Sequence, residues 1–200
     1  MQSILYEYGS SLYINLTNHC PCNCSFCLRN DQDGVGTADS LWLERDPTAA
    51  DVIAGFAGYN LANYDQVVFC GYGEPLCALD ALLEVSRYIR SISDIPIRLN
   101  TNGLGDLINQ KPTAPLLEGL IDTVSISLNS PTAQGYYNIC KPSFGLDSHA
   151  AMLKFAQDCV PYVPKVVFSV VDVIPPEEIA ACKALTQKLG IPLRVRTYTG

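Results

Sequence analysis

Apolar and polar positions alternate along several short stretches of this chain. In residues 123–129, Val124, Ile126 and Leu128 alternate with Ser125, Ser127 and Asn129. That two-residue period predicts a β-strand with two unlike faces. Residues 12–17 set Leu12, Ile14 and Leu16 against Tyr13, Asn15 and Thr17. Residues 97–102 set Ile97 and Leu99 against Arg98 and Asn100, and residues 193–198 set Leu193, Val195 and Thr197 against Arg194, Arg196 and Tyr198. QVVFCG (66–71) and KVVFSVV (165–171) complete six predicted strands. Helical patterns lie between them. DPTAADVIAGFAGYNL opens with Asp46 as N-cap and Pro47 at the first helical position. Residues 79–92 carry Leu79, Leu82, Leu83, Val85 and Ile89 near one stripe, and 175–190 begins with prolines and acids and stops at Gly190. Residues 147–159 predict another helix, with shorter ones near 114–120 and 131–138.

Strands separated by helices are too far apart for hairpins, so the order predicts parallel strands joined by crossovers. A doubly wound sheet and a barrel both satisfy it. A parallel sheet covered on both faces reads almost continuously apolar, whereas here one face is polar in strand after strand. The expected fold is therefore α/β, a partial (βα)6 TIM-like barrel with helices outside and a polar interior suited to a ligand. The bland alternative is a two-layer sheet with one solvated face. No linker, low-complexity tract or sequence repeat divides the chain, so residues 1–200 are expected to form a single domain.

Composition narrows the function. Lys and Arg total 13 against 20 Asp and Glu, a net charge of −7. With no run of basic residues, bulk nucleic-acid binding is disfavoured. No window approaches the length of apolar sequence that spans a membrane, and the first residues, MQSILYEYGSS, lack the pattern of a signal peptide. Nine cysteines in such a chain imply a reducing, cytoplasmic setting and metal chemistry rather than disulfides.

Four of those cysteines, Cys20, Cys22, Cys24 and Cys27, crowd the loop after the first predicted strand, in NHCPCNCSFCLRN. They can be read as zinc ligands, but the second C-x-x-C pair of a typical structural zinc site is missing. They can also be read as C-x-x-x-C-x-x-C, which uses Cys20, Cys24 and Cys27 and leaves Cys22 out. Three thiolates could hold three irons of a [4Fe–4S] cluster and leave the fourth open, unlike a four-cysteine ferredoxin site. The scattered Cys70, Cys77, Cys140, Cys159 and Cys182 read as packing residues. After the second strand comes FCGYGEPL (69–76), where glycines permit close backbone approach and Glu74 can pair with an ammonium group.

Taken together, the two motifs resemble the radical S-adenosylmethionine (SAM) superfamily. YINLTNHCPCNCSFCLRN, GYGEPL, RLNTNGLG, DTVSISLNSPTAQGYYNICKP and RVRTYTG are similar to the group called TatD family-associated radical SAM proteins. The resemblance implies a partial (βα)6 barrel of the radical SAM type, with a [4Fe–4S] cluster on Cys20, Cys24 and Cys27 and SAM chelated at the open iron. It implies that Phe26 lies beside the adenine, that Gly73 and Glu74 hold the methionine amino group, and that Ser127 and Asn129 touch ribose or carboxylate. The region of Tyr198 then reads adenine. Tyr72 replaces the first glycine of the Gly-Gly-Glu pattern, and Cys22 is an extra thiol, expected to be a spectator.

The implied reaction is reductive cleavage of SAM to a 5′-deoxyadenosyl radical that takes hydrogen from a substrate, with electrons from a flavodoxin or ferredoxin. The substrate itself is not named by the resemblance, although a functional link to a TatD-type hydrolase is hinted at. Two other readings stand beside it: an activase making a glycyl radical on a partner protein, and a non-catalytic iron–sulfur or zinc module. From the residues alone, Arg194 and Arg196 on the polar face call for anions. One is the SAM carboxylate, assigned to Arg196, and the other is an anionic substrate group. The competing expectation is an edge strand with both arginines in solvent. His19 and His149 are expected on loops or the surface, and Tyr136, Tyr137 and Lys141 either face substrate or pack and solvate a helix.

Overall fold

The computed structural model describes residues 3–198. Seven strands form one sheet in chain order: β1 (Leu5–Tyr8), β2 (Ser11–Ile14), β3 (Gln66–Phe69), β4 (Ile97–Thr101), β5 (Thr123–Ser127), β6 (Lys165–Val171) and β7 (Leu193–Arg196). Five successive pairings from β2 to β7 are parallel, as the spacing predicts. The first strand was not among those expected. β1 pairs antiparallel with β2 across the two-residue turn Gly9–Ser10, in which Gly9 takes φ 60°, a conformation glycine adopts without strain. β1 and β7 each have one neighbour, so the sheet is open rather than closed.

Six α-helices follow the strands: α1 (Ala49–Gly55), α2 (Leu79–Ile92), α3 (Gly105–Asn109), α4 (Ala133–Cys140), α5 (Asp147–Cys159) and α6 (Pro176–Lys188). The N-cap of α1 is Thr48, not Asp46. The Thr48 side chain accepts from the Asp51 N–H while the Asp51 carboxylate accepts from the Thr48 N–H, a reciprocal pair that Asp46 cannot make. Beyond Gly55 the expected long helix breaks into 3₁₀ turns at Phe56–Gly58 and Leu61–Asn63. The expected helix near 114–120 is a 3₁₀ turn, Ala114–Leu117, and the short α3 was not anticipated.

The core lies between the sheet and the helices. Leu12, Ile14, Val67, Phe69, Ile97, Leu99, Val124 and Ile126 are inaccessible to solvent on one sheet face, against Leu82, Val85, Ile89, Met152, Phe155 and Cys159. Cys159 and Cys182 are packing residues as expected. The opposite face bears Tyr13, Arg98, Asn100 and Ser127, all half-buried, as the alternation requires. At the end away from the cysteine loop, Asp122 accepts from the Ile97 N–H at 2.6 Å and pairs with Arg90, tying α2 to the starts of β4 and β5. Among the described residues no helix is long and apolar enough to cross a membrane.

Ile126 sits at the centre of this core, so Ile126→Ala should leave a cavity. It is expected to destabilise the fold by about 2–5 kcal/mol, read from denaturant unfolding.

Candidate functional site

The loops at the C-terminal ends of the strands converge, and a buried carboxylate holds them together. Glu74, in the loop after β3, is 3% exposed. It accepts from the Thr101 hydroxyl at 2.7 Å and the Asn102 N–H at 2.7 Å, both at the end of β4, and from the Leu76 N–H at 3.1 Å. The Glu74 N–H in turn donates to the His19 carbonyl at 2.8 Å, joining this loop to the one after β2. Burial pushes the Glu74 carboxyl up to about 7, against the three hydrogen bonds that favour its charge. No ion pair among the described residues reaches it.

Asn102 carries the connection on to the thiols. Its Nδ2 lies 3.9 Å from Cys20 Sγ and 3.8 Å from Cys22 Sγ. Cys22, buried in the core, is within hydrogen-bonding reach of both Cys20 and Cys24. Cys24 Sγ lies 3.8 Å from the Cys140 carbonyl, and the Cys140 thiol also reaches it. Donation from Cys140, then from Cys22, lowers the Cys24 thiol to about 4. The Cys20 thiol is also lowered, chiefly by Cys22, while burial raises that of Cys27. Cys22 is thus a buried thiol set between Cys20 and Cys24. The expectation of Cys140 as simple packing also needs extension, because it touches both Cys24 and Asn129.

The other expected site residues surround this group. Phe26 is half-buried against the core. Gly73 lies so close to β2's extension that a Cβ would stand 2.2 Å from the Thr17 carbonyl oxygen, and at Gly71 it would stand 2.0 Å from Asn15 Oδ1. Backbone packing therefore requires the glycine at 73, and the buried Asn15 side chain requires the one at 71. Tyr72 turns away, buried against Trp42 (5.2 Å between ring centroids), with its hydroxyl donating to the Gln32 carbonyl. Ser127 is half-buried at the end of β5. Asn129 takes φ 54°, donates to Cys140 Sγ at 3.5 Å, and leaves its buried Oδ1 without a partner. Arg196 is half-buried with its Nε likewise orphaned, whereas Arg194 is exposed on an edge strand. Tyr198 donates its hydroxyl to Asp31 at 2.8 Å, reaching from the end of β7 to the cysteine loop.

His149 departs from expectation. It is buried, with Nε2 3.2 Å from the Ser130 carbonyl and its ring 5.8 Å from that of Tyr136. Tyr136 is fully buried, while Tyr137, Lys141 and His19 are exposed. Thr101 and Asn102 were missed as site residues. Their signal was present in the polar run of TNG after β4, but only the folded loops aim them at Glu74 and the thiols.

The chain matches the model of the radical SAM superfamily over residues 14–186. It belongs to that superfamily. Radical SAM proteins are enzymes, and they use a [4Fe–4S] cluster and SAM. Comparison with curated protein sequences returns no significant match. Among solved structures, the chain is similar to a radical SAM methyltransferase from Sphaerobacter thermophilus (18% identity, TM-score 0.60, covering 98% of this chain and 69% of that one). It is similar to Streptococcus suis SuiB bound to S-adenosylmethionine (19%, 0.66, covering 96% and 40%). Methylornithine synthase also matches (13%, 0.58, covering 94% and 53%). The last two proteins are much longer than this chain, and at these identities the likeness is one of fold.

The donor set suits such a cluster. Among the described residues no three metal-ligating side chains are gathered around one point. A cluster does not require that, because in a cluster each thiolate would meet a different iron. The sulfurs are soft ligands on one short loop, and buried, unpartnered Asn129 Oδ1 and Arg196 Nε leave polar capacity for a bound molecule.

The raised carboxyl at Glu74 makes a pH prediction. The folded state holds its proton above the ordinary carboxylate range, so the stability this gives is full below about pH 4.5 and is lost as pH rises through about 7. Without bound ligands, the parent should lose on the order of 3 kcal/mol relative to Glu74→Gln between pH 4.5 and 8, measured by denaturant unfolding.

Proposed function

We propose that this chain is a radical SAM enzyme in the full chemical sense, with Cys20, Cys24 and Cys27 holding a [4Fe–4S] cluster and SAM bound against it. The observation that carries this reading is Glu74, a buried carboxylate with no countercharge, linked through Asn102 to Cys20. A buried anion of this kind is satisfied by a cation, and the methionine ammonium of SAM is one. When bound, the cluster and SAM supply one-electron reductive cleavage of a carbon–sulfur bond and a 5′-deoxyadenosyl radical able to take hydrogen from a substrate.

The residues have distinct tasks in this reading. Glu74 accepts the ammonium, and Thr101, Asn102 and Leu76 keep its oxygens in place. Gly73 keeps the loop against β2 so that Glu74 can face the cysteines. Asn129 and Ser127 contact the ribose or carboxylate, Arg196 the carboxylate, and Phe26 and Tyr198 flank the adenine. The sheet from β2 to β7 with its helices forms the partial (βα)6 barrel, and residues 1–200 work as one unit. An external reductant such as flavodoxin or ferredoxin delivers the electron. The free cysteines fit a cytoplasmic setting. The similarity to TatD-associated proteins makes a TatD-type hydrolase a functional neighbour to test. Membership in a family of enzymes weighs against the non-catalytic module, and no observation favours the glycyl-radical activase.

Reconstitution of the parent with iron and sulfide under argon, followed by dithionite and SAM, should release 5′-deoxyadenosine; no release from cluster-loaded protein would overturn the reading. Cys20→Ala, Cys24→Ala and Cys27→Ala should each lose the iron–sulfur chromophore. Cys22→Ala should keep its iron content, and the reverse result would shift the ligand register.

Glu74→Gln should keep the cluster but bind SAM roughly 10- to 100-fold more weakly, the worth of a hydrogen bond to a charged group. The SAM-induced change in the reduced cluster's EPR spectrum measures it.

A further inference from the structure

The inner face of the sheet carries positive charge that SAM does not use up. Arg98 on β4 and Arg194 and Arg196 on β7 stand on this face by strand register. Arg98 shares a rank with Tyr13 through Val68, and Arg194 pairs with Ser169, which pairs with Ser127. None of the three enters an ion pair among the described residues. The single hydrogen bond Arg98 makes there runs from Nε to Asn100 Oδ1 at 2.9 Å, leaving the two terminal nitrogens of its guanidinium unpartnered. The guanidiniums are near enough to act on one another. Burial, then the charge of Arg194, lowers the proton affinity of Arg98, and burial does the same to Arg196. The titratable groups facing them are the Tyr13 hydroxyl and the Cys70 thiol, both raised by burial and so neutral at pH 7. The carboxylate that acts on this group, through Cys70, is Glu74 in the loop after β3. Like charges gathered on one face, with Arg98 and Arg196 half-buried, call for an anion.

This inference rests on the radical SAM reading, in which Arg196 serves the SAM carboxylate. We propose that Arg98 and Arg194, with the Tyr13 hydroxyl, bind a phosphate-type oxyanion carried by the substrate. One bidentate guanidinium saturates a carboxylate, whereas two guanidiniums and a phenol match the charge and the extra acceptor oxygens of a phosphate monoester. The position fits a substrate held by its tail. Arg98 lies four residues before Asn102, which touches the cysteine sulfurs, so along an extended strand it stands roughly 13 Å below them. The phosphate would sit deep in the open barrel and the reacting carbon would point up toward the cysteine loop. Arg194, exposed on the edge strand β7, leaves the site reachable from solvent.

Titration calorimetry of the full chain, isolated anaerobically with its cluster, tests this with methyl phosphate as the probe and acetate as the comparison. Methyl phosphate should bind the parent, and Arg98→Gln and Arg194→Gln should each weaken it about tenfold or more. Arg98→Lys and Arg194→Lys should weaken it less, and acetate should bind at least tenfold more weakly than methyl phosphate. SAM affinity, followed by EPR, should stay at the parent value in Arg98→Gln and Arg194→Gln. Because Arg194 is exposed, its variant reports even if Arg98→Gln fails to fold. Undetectable methyl phosphate binding by the parent, or equal affinity in parent and Arg194→Gln, overturns the proposal. Equal or tighter acetate binding overturns the phosphate assignment. Methyl phosphate binding that depends on both arginines, in protein that neither takes up iron nor binds SAM, would sink the radical SAM reading while leaving the oxyanion site intact.

Discussion

A carboxylate buried without a countercharge organises the functional end of this fold. Glu74 accepts from Thr101, Asn102 and Leu76, and its own N–H donates to the loop that carries the cysteines. These bonds fix three loops relative to one another. They also leave the carboxyl raised to about 7, since burial outweighs three donors. The site is therefore assembled around an incomplete interaction. Such local cost persists where surrounding structure overdetermines it. Here the surroundings are the close approach of Gly73 to the Thr17 and His19 carbonyls, that of Gly71 to the Asn15 side chain, and the core beneath.

The same logic runs down the inner face of the sheet. One face of β2 to β5 is inaccessible and apolar, and it holds the helices. The other carries polar groups, some partly satisfied within the wall, as Arg98 is at Nε by Asn100, and others left open, as at Asn129 and Arg196. An open sheet permits this arrangement. A closed eight-stranded barrel fills its interior with branched apolar side chains, whereas an open one leaves room for a polar ligand and a side from which it can enter. Tyr198, reaching from the end of β7 to Asp31, spans part of that side.

Cys22 and Cys140 bring the thiol group into contact with the protein interior. Cys22 is buried between Cys20 and Cys24, and Cys140, at the end of α4, touches Cys24 and Asn129. The cysteine loop is further tied to α4 by backbone bonds from Asn23 and Ser25 to the carbonyls of Cys140 and Ile139. A loop that must present several thiols gains rigidity from such anchors. Its helix partner comes from more than a hundred residues away in the chain.

Period-two alternation located four strands and their polar face, because side-chain direction in a strand depends only on local geometry; two apolar runs added the others, and the helices between them gave the parallel sense. Membership in the radical SAM superfamily was legible in the cysteine loop and GYGEPL, since short motifs carry their chemistry in residue type and order. The Gly9–Ser10 turn between β1 and β2 is a local signal, whereas the cap at Thr48 rather than Asp46 turns on the reciprocal bonds between Thr48 and Asp51. Other features lay beyond any local pattern. The burial of His149 on Tyr136, the approach of Cys140 to Cys24 and the grip of Asn102 on both Glu74 and Cys20 join residues from separate loops. Arg196 loses an acceptor for its Nε while Arg194, two residues earlier on the same face, stays in solvent. Alternation assigns a side chain to a face, but burial and partners depend on what the rest of the chain brings to that face, and that is decided only by tertiary packing.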